Sequence, residues 1–319
     1  MFDLRGLRRH GVLGINRRNA EIIRQVNPRR LYPLVDDKLR TKQLALASGM
    51  PVPELFGVIA TQHDIRDLPG IVADRDQFVV KPAHGSGGNG VLVITGRRGD
   101  RFIKASGAQL EGNELFHHIS NMLSGLYSLA GQRDRVVVEY YVRCEPELAR
   151  ISYRGVPDIR LIVYRGFPLM AMIRLPTHLS DGRANLHQGA VGVGIDVSSG
   201  ETLMGVQEDR RIEEHPDTGQ ALSGIVIPYW EKILEMAARC FEMTRLGYLG
   251  VDIVVDRDLG PLILELNARP GLAIQIANGI GLRHRLRAIE ELGDRQLAVG
   301  ERLELCRQEF GAASDPSRS

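Results

Sequence analysis

The chain has 319 residues, 43% of them hydrophobic and 25% charged, with a formal net charge of +2. That is enough sequence for one large or two ordinary domains with a real core, and too little net charge to argue for nucleic acid as a partner. The cysteines Cys144, Cys240 and Cys306 stand far apart in no metal-like spacing, the N-terminus lacks the apolar core of a signal peptide, and no apolar run could span a bilayer, so the expectation is a cytoplasmic protein with free thiols.

Residues 1–35 are basic, with a helix expected over residues 19–26. Arginines are dense in residues 5–30 and again in 283–307, and both stretches read as solvated helix faces. Asp36-Asp37-Lys38 opens a helix that runs to about Ala47, capped by Asp36 or Asp37, with Leu39, Leu44 and Leu46 supplying apolar surface and Gly49 stopping it. Extended segments are expected over residues 55–60 and 78–81, the second ended by Pro82, and a further strand over 91–95 follows a glycine-rich loop. Residues 114–129 read as a helix and 136–142 (VVVEYYV) as a strand. Residues 158–164 and 168–175 read as strands paired around Arg165-Gly166-Phe167, and residues 176–190 as a polar loop. A long helix over 228–244, a hairpin over 249–267 and an amphipathic helical tail over 282–310 follow. Strands and helices without regular βαβ alternation argue for an α+β fold rather than a doubly wound sheet.

The glycine-rich loop lies in residues 81–91, KPAHGSGGNGV, where Gly85, Ser86, Gly87, Gly88, Asn89 and Gly90 match G-x-G-x-x-G. Such a loop lets the backbone approach phosphate oxygens and aim its amides at them, and it can equally be a plain hairpin turn. A dinucleotide fingerprint needs a helix directly after the loop, whereas a β-branched strand follows here. A Walker loop ends in Gly-Lys-Ser/Thr, whereas this one ends Asn89-Gly90-Val91. Strand–loop–strand is the kinase-like arrangement, yet no H-R-D or D-F-G follows. The reading is a phosphate lid with Lys81 on the entering strand, able to reach one phosphate while loop amides cover the others.

The hairpin over 249–267 carries a second signal. If its turn is centred between Asp258 and Leu259, Asp252 lies across from Glu265, and Glu265 and Asn267 share a face. Three oxygen ligands then converge on one patch, a donor set suited to Mg²⁺ completed by phosphates and water. The flanking Val251, Ile253, Val254, Leu262, Ile263, Leu264 and Leu266 make both strands read as buried, and buried carboxylates need partners. A slip of one residue would break this alignment.

Together the stretches DDKLRTKQLALASGMPVP, FVVKPAHGSGGNGV, VVVEYYV, DIRLIVY, NLHQGA and GVDIVV…LILELNARPG resemble, in order, the ATP-grasp superfamily of carboxylate–amine ligases, over residues 36–281. NLHQG and the closing E-x-N-x-x-P-G are most similar to the RimK-like α-L-glutamate ligases. The resemblance implies two α+β subdomains clamping ATP. Residues 36–142 would form the N-terminal subdomain with the lid and residues 143–281 the C-terminal subdomain with the metal site, flanked by a short N-terminal segment (1–35) and a helical tail (282–319). It implies Lys38, Lys81 and the lid (Gly85 to Gly90) on the phosphates, and Glu139 with the backbone of Tyr140 and Val142 on the adenine. Glu145 or Glu147 would bind the ribose. Asp252, Glu265 and Asn267 would hold one or two Mg²⁺, with Mn²⁺ as a substitute. Arg160, Arg174 and Arg269 would sit near the γ-phosphate and the reacting carboxylate, and His187 would orient substrate or act as a base.

The implied reaction is formation of an amide or peptide bond through an acylphosphate, with glutamate or a similar amino acid added to a peptide or small carboxylate. A kinase-like phosphotransferase and a non-catalytic ATP-binding regulator are the alternatives. Gly250 stands where D-alanine ligases usually carry an arginine, which argues against D-alanine ligation. The short N-terminal segment leaves the acceptor site to be completed by that segment, the tail, a second copy or a partner protein.

Overall fold

A computed structural model describes residues 10–311 apart from 86, 129–130, 209 and 294. Two antiparallel sheets organise it. The first has six strands in the order β1-β6-β2-β3-β4-β5. These are β1 (Leu55–Ile59), β2 (Phe78–Pro82), β3 (Leu92–Arg98), β4 (Arg101–Lys104), β5 (Gln109–Leu110) and β6 (Val136–Glu139). The second has seven, in the order β11-β10-β9-β8-β7-β12-β13. They are β7 (Asp158–Tyr164), β8 (Phe167–Leu175), β9 (Val191–Ile195), β10 (Thr202–Gln207), β11 (Arg210–Ile212), β12 (Tyr248–Asp256) and β13 (Gly260–Asn267). The expected α+β class holds.

Helix α1 (Lys38–Ala47) starts where expected, and Asp37 is its cap, accepting from Leu39 N at 2.9 Å. Asp36 belongs instead to the short preceding helix Pro33–Asp36. Leu39 and Ala45 are buried, while Leu46 faces solvent. Helix α2 (Gly112–Leu123) buries Leu115, Ile119, Met122 and Leu123, an i, i+4, i+7, i+8 stripe, against Phe78, Val80 and Val138 of the first sheet. It ends six residues short of the expected limit, and Leu129 lies outside the described residues.

Helix α3 (Trp230–Thr244) packs on β7, β8, β12 and β13. Behind the second sheet lie α4 (Ile274–Asn278), α5 (Leu282–Glu291) and α6 (Val299–Phe310). The expected single tail is therefore two helices, and Leu286, Ile289, Leu303 and Phe310 lock both into the larger core.

The N-terminal segment also belongs to that core, through Leu13, Ile22, Ile23 and Val35, as do Ala45 and Met50 from around the end of α1. Nor are the arginine-rich stretches simply solvated faces. Arg18, Arg285 and Arg302 are buried, and Arg285 donates to Leu169 O and Phe310 O across the sheet–helix boundary. Among the described residues no helix is long and apolar enough to cross a membrane.

Candidate active site

A cleft of about 1070 Å³ runs between the two sheets and takes its walls from both. Its C-terminal wall follows from strand periodicity. On β7, Asp158 and Arg160 share a face, being two residues apart. The register sets Asp158 opposite Arg174 on β8 and Arg160 opposite Asp252 on β12, and Asp252 is in turn opposite Glu265 on β13. Four neighbouring strands thus present one row of charge to the cleft, while Ile159, Ile173 and Ile253 point into the core.

The row is tightly knit. Arg160 grips both oxygens of Asp252, with Nε at 2.7 Å and Nη2 at 2.5 Å. Arg174 holds Asp158 through Nε and Nη2 and reaches Asp252 Oδ2 at 3.0 Å. Burial opposes the charge on Asp252, but Arg160 and Arg174 outweigh it and hold its carboxyl below the usual range. Burial, with Asp252 alongside, pushes Asp158 up to about 6 against the pull of Arg174. Burial also works against the charge on Arg174, and Asp158 with Asp252 overcome it and raise its pKa.

Asn267 Nδ2 lies 3.4 Å from Asp252 Oδ2, and Glu265 faces Lys38 Nζ at 3.6 Å. Among the described residues no cluster of three His, Cys, Asp or Glu could hold a metal, so the set is two carboxylates and one amide. In kind it fits Mg²⁺, a hard cation that takes few protein oxygens and completes its shell with phosphates and water. Asp252 can join only by loosening a guanidinium.

The N-terminal wall carries a second charged group. Glu139, the last residue of β6, is 3% exposed. It pairs in register with Val79, which makes Lys81 its diagonal neighbour on the same face. Lys81 contacts Glu139 Oε1, and Lys42 lies 2.9 Å from Oε2. Burial opposes the charge on Glu139, yet Lys81 and then Lys42 hold its pKa below the ordinary value. Burial lowers the pKa of Lys42, an effect that Glu139 opposes and Lys81 reinforces. Lys38, one turn before Lys42 on α1, extends to Gly85 O at 2.5 Å and so bridges lid and hairpin.

The lid links β2 to β3, as its sequence implies. Its base is fastened by Asp134, which accepts from His84 N at 3.0 Å and Ser128 Oγ at 2.5 Å. At its tip Gly87 O accepts from Asn185 Nδ2 at 3.1 Å, so the loop touches the opposite wall. Gly87, Gly88 and Gly90 all have positive φ. Gly90 must also be glycine because an added Cβ would sit 2.6 Å from Tyr127 Cγ. Ser86 lies outside the described residues.

Of the remaining sequence-predicted residues, Gly85, Gly87, Gly88, Asn89, Tyr140, Val142 and His187 line the cleft. Three others do not. Glu147 is exposed in the helix Pro146–Arg150, which Glu145 caps by accepting from Glu147 N at 2.7 Å; neither acid enters the cleft. Arg269 stacks over Tyr32, 5.4 Å from the ring centroid, and does not line the cleft. Gly90 packs behind the lid. The Glu139 carboxylate does line the cleft but is occupied by two lysines, so its side chain is not offered to a base.

Lys42, Asp158 and Asn185 are the residues that sequence reasoning passed over. Lys42 lies four residues after Lys38, and Asp158 lies two before Arg160; each spacing was visible. Val142, Val156 and Val254, with Tyr140 and Leu264, give the cleft an apolar floor, and Leu262 packs in the same cluster. Gly250 leaves no room for a side chain, since a Cβ there would meet Pro270 Cβ at 2.6 Å.

Curated relatives share about a quarter of the sequence. A probable alpha-L-glutamate ligase of Aeromonas salmonicida is 25% identical over 244 residues, covering 76% of this chain and 59% of that protein. A ribosomal protein bS6–L-glutamate ligase of Shigella boydii is 25% identical over 251 residues, covering 78% and 61%. The chain thus spans about three fifths of the length of these relatives. Among solved structures, the D-cycloserine synthetase DcsG is 18% identical, covers 86% of this chain and 80% of its own, and has a TM-score of 0.49. A D-alanine–D-alanine ligase from Bacillus anthracis is 15% identical, covers 86% and 69%, and has a TM-score of 0.45. The family model described as sugar-transfer associated ATP-grasp matches residues 17–291, and the chain belongs to that family.

Proposed function

We propose that the protein is an ATP- and Mg²⁺-dependent ligase that joins a carboxylate to an amine. The observation that carries this reading is one cleft faced by Lys38, Lys81 and a glycine lid on one side and by Asp252, Glu265, Asn267 and two arginines on the other. The apolar floor takes the adenine, with main-chain groups of Glu139 and Tyr141 at its edge; the Tyr140 amide is already bonded to Glu54 O at 2.8 Å. Lys81, Lys38 and the lid amides meet the phosphates. Asp252, Glu265 and Asn267 hold Mg²⁺, which when bound spreads negative charge on the phosphoryl oxygens.

In the reaction we propose, an oxygen of the substrate carboxylate attacks the γ-phosphorus of ATP and the bond to ADP breaks. The amine nitrogen then attacks the acyl carbon, phosphate leaves with the carboxylate oxygen, and the amine proton passes to phosphate or solvent. In this reading Arg160 and Arg174, which line the cleft, hold the attacking carboxylate and the later oxyanion, and guanidinium geometry suits both. In this reading His187, which lines the cleft, orients the amine. The amine is an α-amino acid of the glutamate type, as the names of the relatives suggest.

The test is ADP release from ATP and Mg²⁺ with a mixed pool of amino acids and small carboxylates, followed by mass spectrometry of the products. Amine-dependent ADP release with a product heavier by one amide linkage supports the reading. A stable phosphorylated product with no amine requirement would overturn it.

A further inference from the structure

Glu139 has two lysine partners, and only one of them lines the cleft. Lys81 does; Lys42 lies behind it, donating to Pro53 O and standing 2.9 Å from Glu139 Oε2. The three side chains are 7%, 7% and 3% exposed. One buried carboxylate is neutralised by one cation, and a second buried cation is costly unless something else needs it. The group therefore carries a surplus positive charge beside the lid. Helix α1 explains how it is delivered. Lys38 and Lys42 are four residues apart and share a face, so one turn of helix sends the first into the cleft and the second to the carboxylate behind it.

We infer that Lys42 is a positioning residue that keeps Glu139 paired when Lys81 turns from it to the nucleotide phosphates. This rests on the nucleotide reading of the cleft given above. Without nucleotide, either lysine is sufficient for Glu139. With nucleotide bound, Lys81 is engaged elsewhere and Lys42 alone prevents a stranded buried anion. If Lys42 loses its charge, nucleotide must either bind without Lys81 or force Glu139 to take up a proton. Proton uptake becomes harder as pH rises, so the loss of affinity in such a variant grows with pH.

The experiment is calorimetric titration of the full chain with Mg·AMPPNP, in two buffers of different ionisation enthalpy, between pH 6 and 8. Wild type is expected to bind with little proton exchange. Lys42→Met is expected to keep its fold without nucleotide, because Lys81 still neutralises Glu139. Near pH 8 it should bind at least about tenfold more weakly, with uptake of up to about one proton that a wild-type-like site would not show. Glu139→Gln added to Lys42→Met should abolish the uptake and restore most of the affinity. Wild-type affinity and no uptake in Lys42→Met would overturn the inference. So would a double variant no better than the single one, which would place Lys42 on the nucleotide itself. Unfolding of Lys42→Met in the absence of nucleotide would also overturn it, by showing that Lys81 alone does not suffice. Failure of wild type to bind Mg·AMPPNP at all would instead remove the nucleotide reading beneath it.

Discussion

The two charged groups that face the cleft differ in their balance. On the N-terminal wall two lysines share one glutamate; on the C-terminal wall two arginines share two aspartates. The first group has a cation to give, and that cation is a flexible, compact ammonium suited to following a phosphate. The second balances itself, with guanidinium contacts from Arg160 and Arg174 that fix Asp252 in place. One wall carries a surplus of positive charge and the other is balanced.

Asp252→Ala is expected to have the largest effect. It leaves Arg160 without its carboxylate and Arg174 with Asp158 alone, so denaturant unfolding should show a loss of about 3–5 kcal/mol. Mg·ATP-dependent turnover should vanish as well. Wild-type stability would mean that the arginine–aspartate row does not hold the wall together.

Glu265→Ala separates the two roles. Its side chain is 31% exposed and, among the described residues, its one ion pair, to Lys38, is 3.6 Å long. Turnover should be lost while stability changes by no more than about 1 kcal/mol; full turnover would remove Glu265 from the metal site. On the lid, Gly90→Ala combines a left-handed φ with a clash against Tyr127, and thermal melting should show a loss of about 2 kcal/mol. Gly88→Ala has the same φ but meets nothing nearer than 3.8 Å, and its cost should stay at about 1 kcal/mol. Equal melting temperatures for the two variants would contradict the packing described behind the lid. The smallest effect belongs to Asn185→Ala, which removes one bond between lid and opposite wall. AMPPNP affinity should fall by roughly fivefold, the worth of one hydrogen bond of about 1 kcal/mol, with stability unchanged.

How far the site could be read from sequence differs from strand to strand. Period-two alternation correctly placed Asp252 against Glu265, but by a compensated route. The turn is centred on Asp258, with Asp256 opposite Gly260, and an irregularity between Asp252 and Ile253 then shifts the register by one. Alternation carries no record of a bulge, so the alignment was legible and its cause was not. Glu147 and Arg269 missed the cleft for local reasons. Pro146 starts a short helix that turns Glu147 outward, and Arg269 finds the Tyr32 ring. Strand β9 is hard to read because two of the five residues of VGVGI are glycine, which weakens the β signal, and β11 because it is only three residues, Arg210–Ile212. The buried Arg18, Arg285 and Arg302 were hidden because a charged residue gives no sign in sequence of the carbonyls that will receive it.

The most direct test of the central claim, that both walls act on one Mg·nucleotide, is the affinity for AMPPNP with Mg²⁺ and with EDTA, in wild type and Glu265→Ala. Wild type should bind more tightly with Mg²⁺, and Glu265→Ala should lose most of that gain while its affinity in EDTA stays the same. Equal wild-type affinity under both conditions, or an undiminished Mg²⁺ gain in Glu265→Ala, would contradict the account.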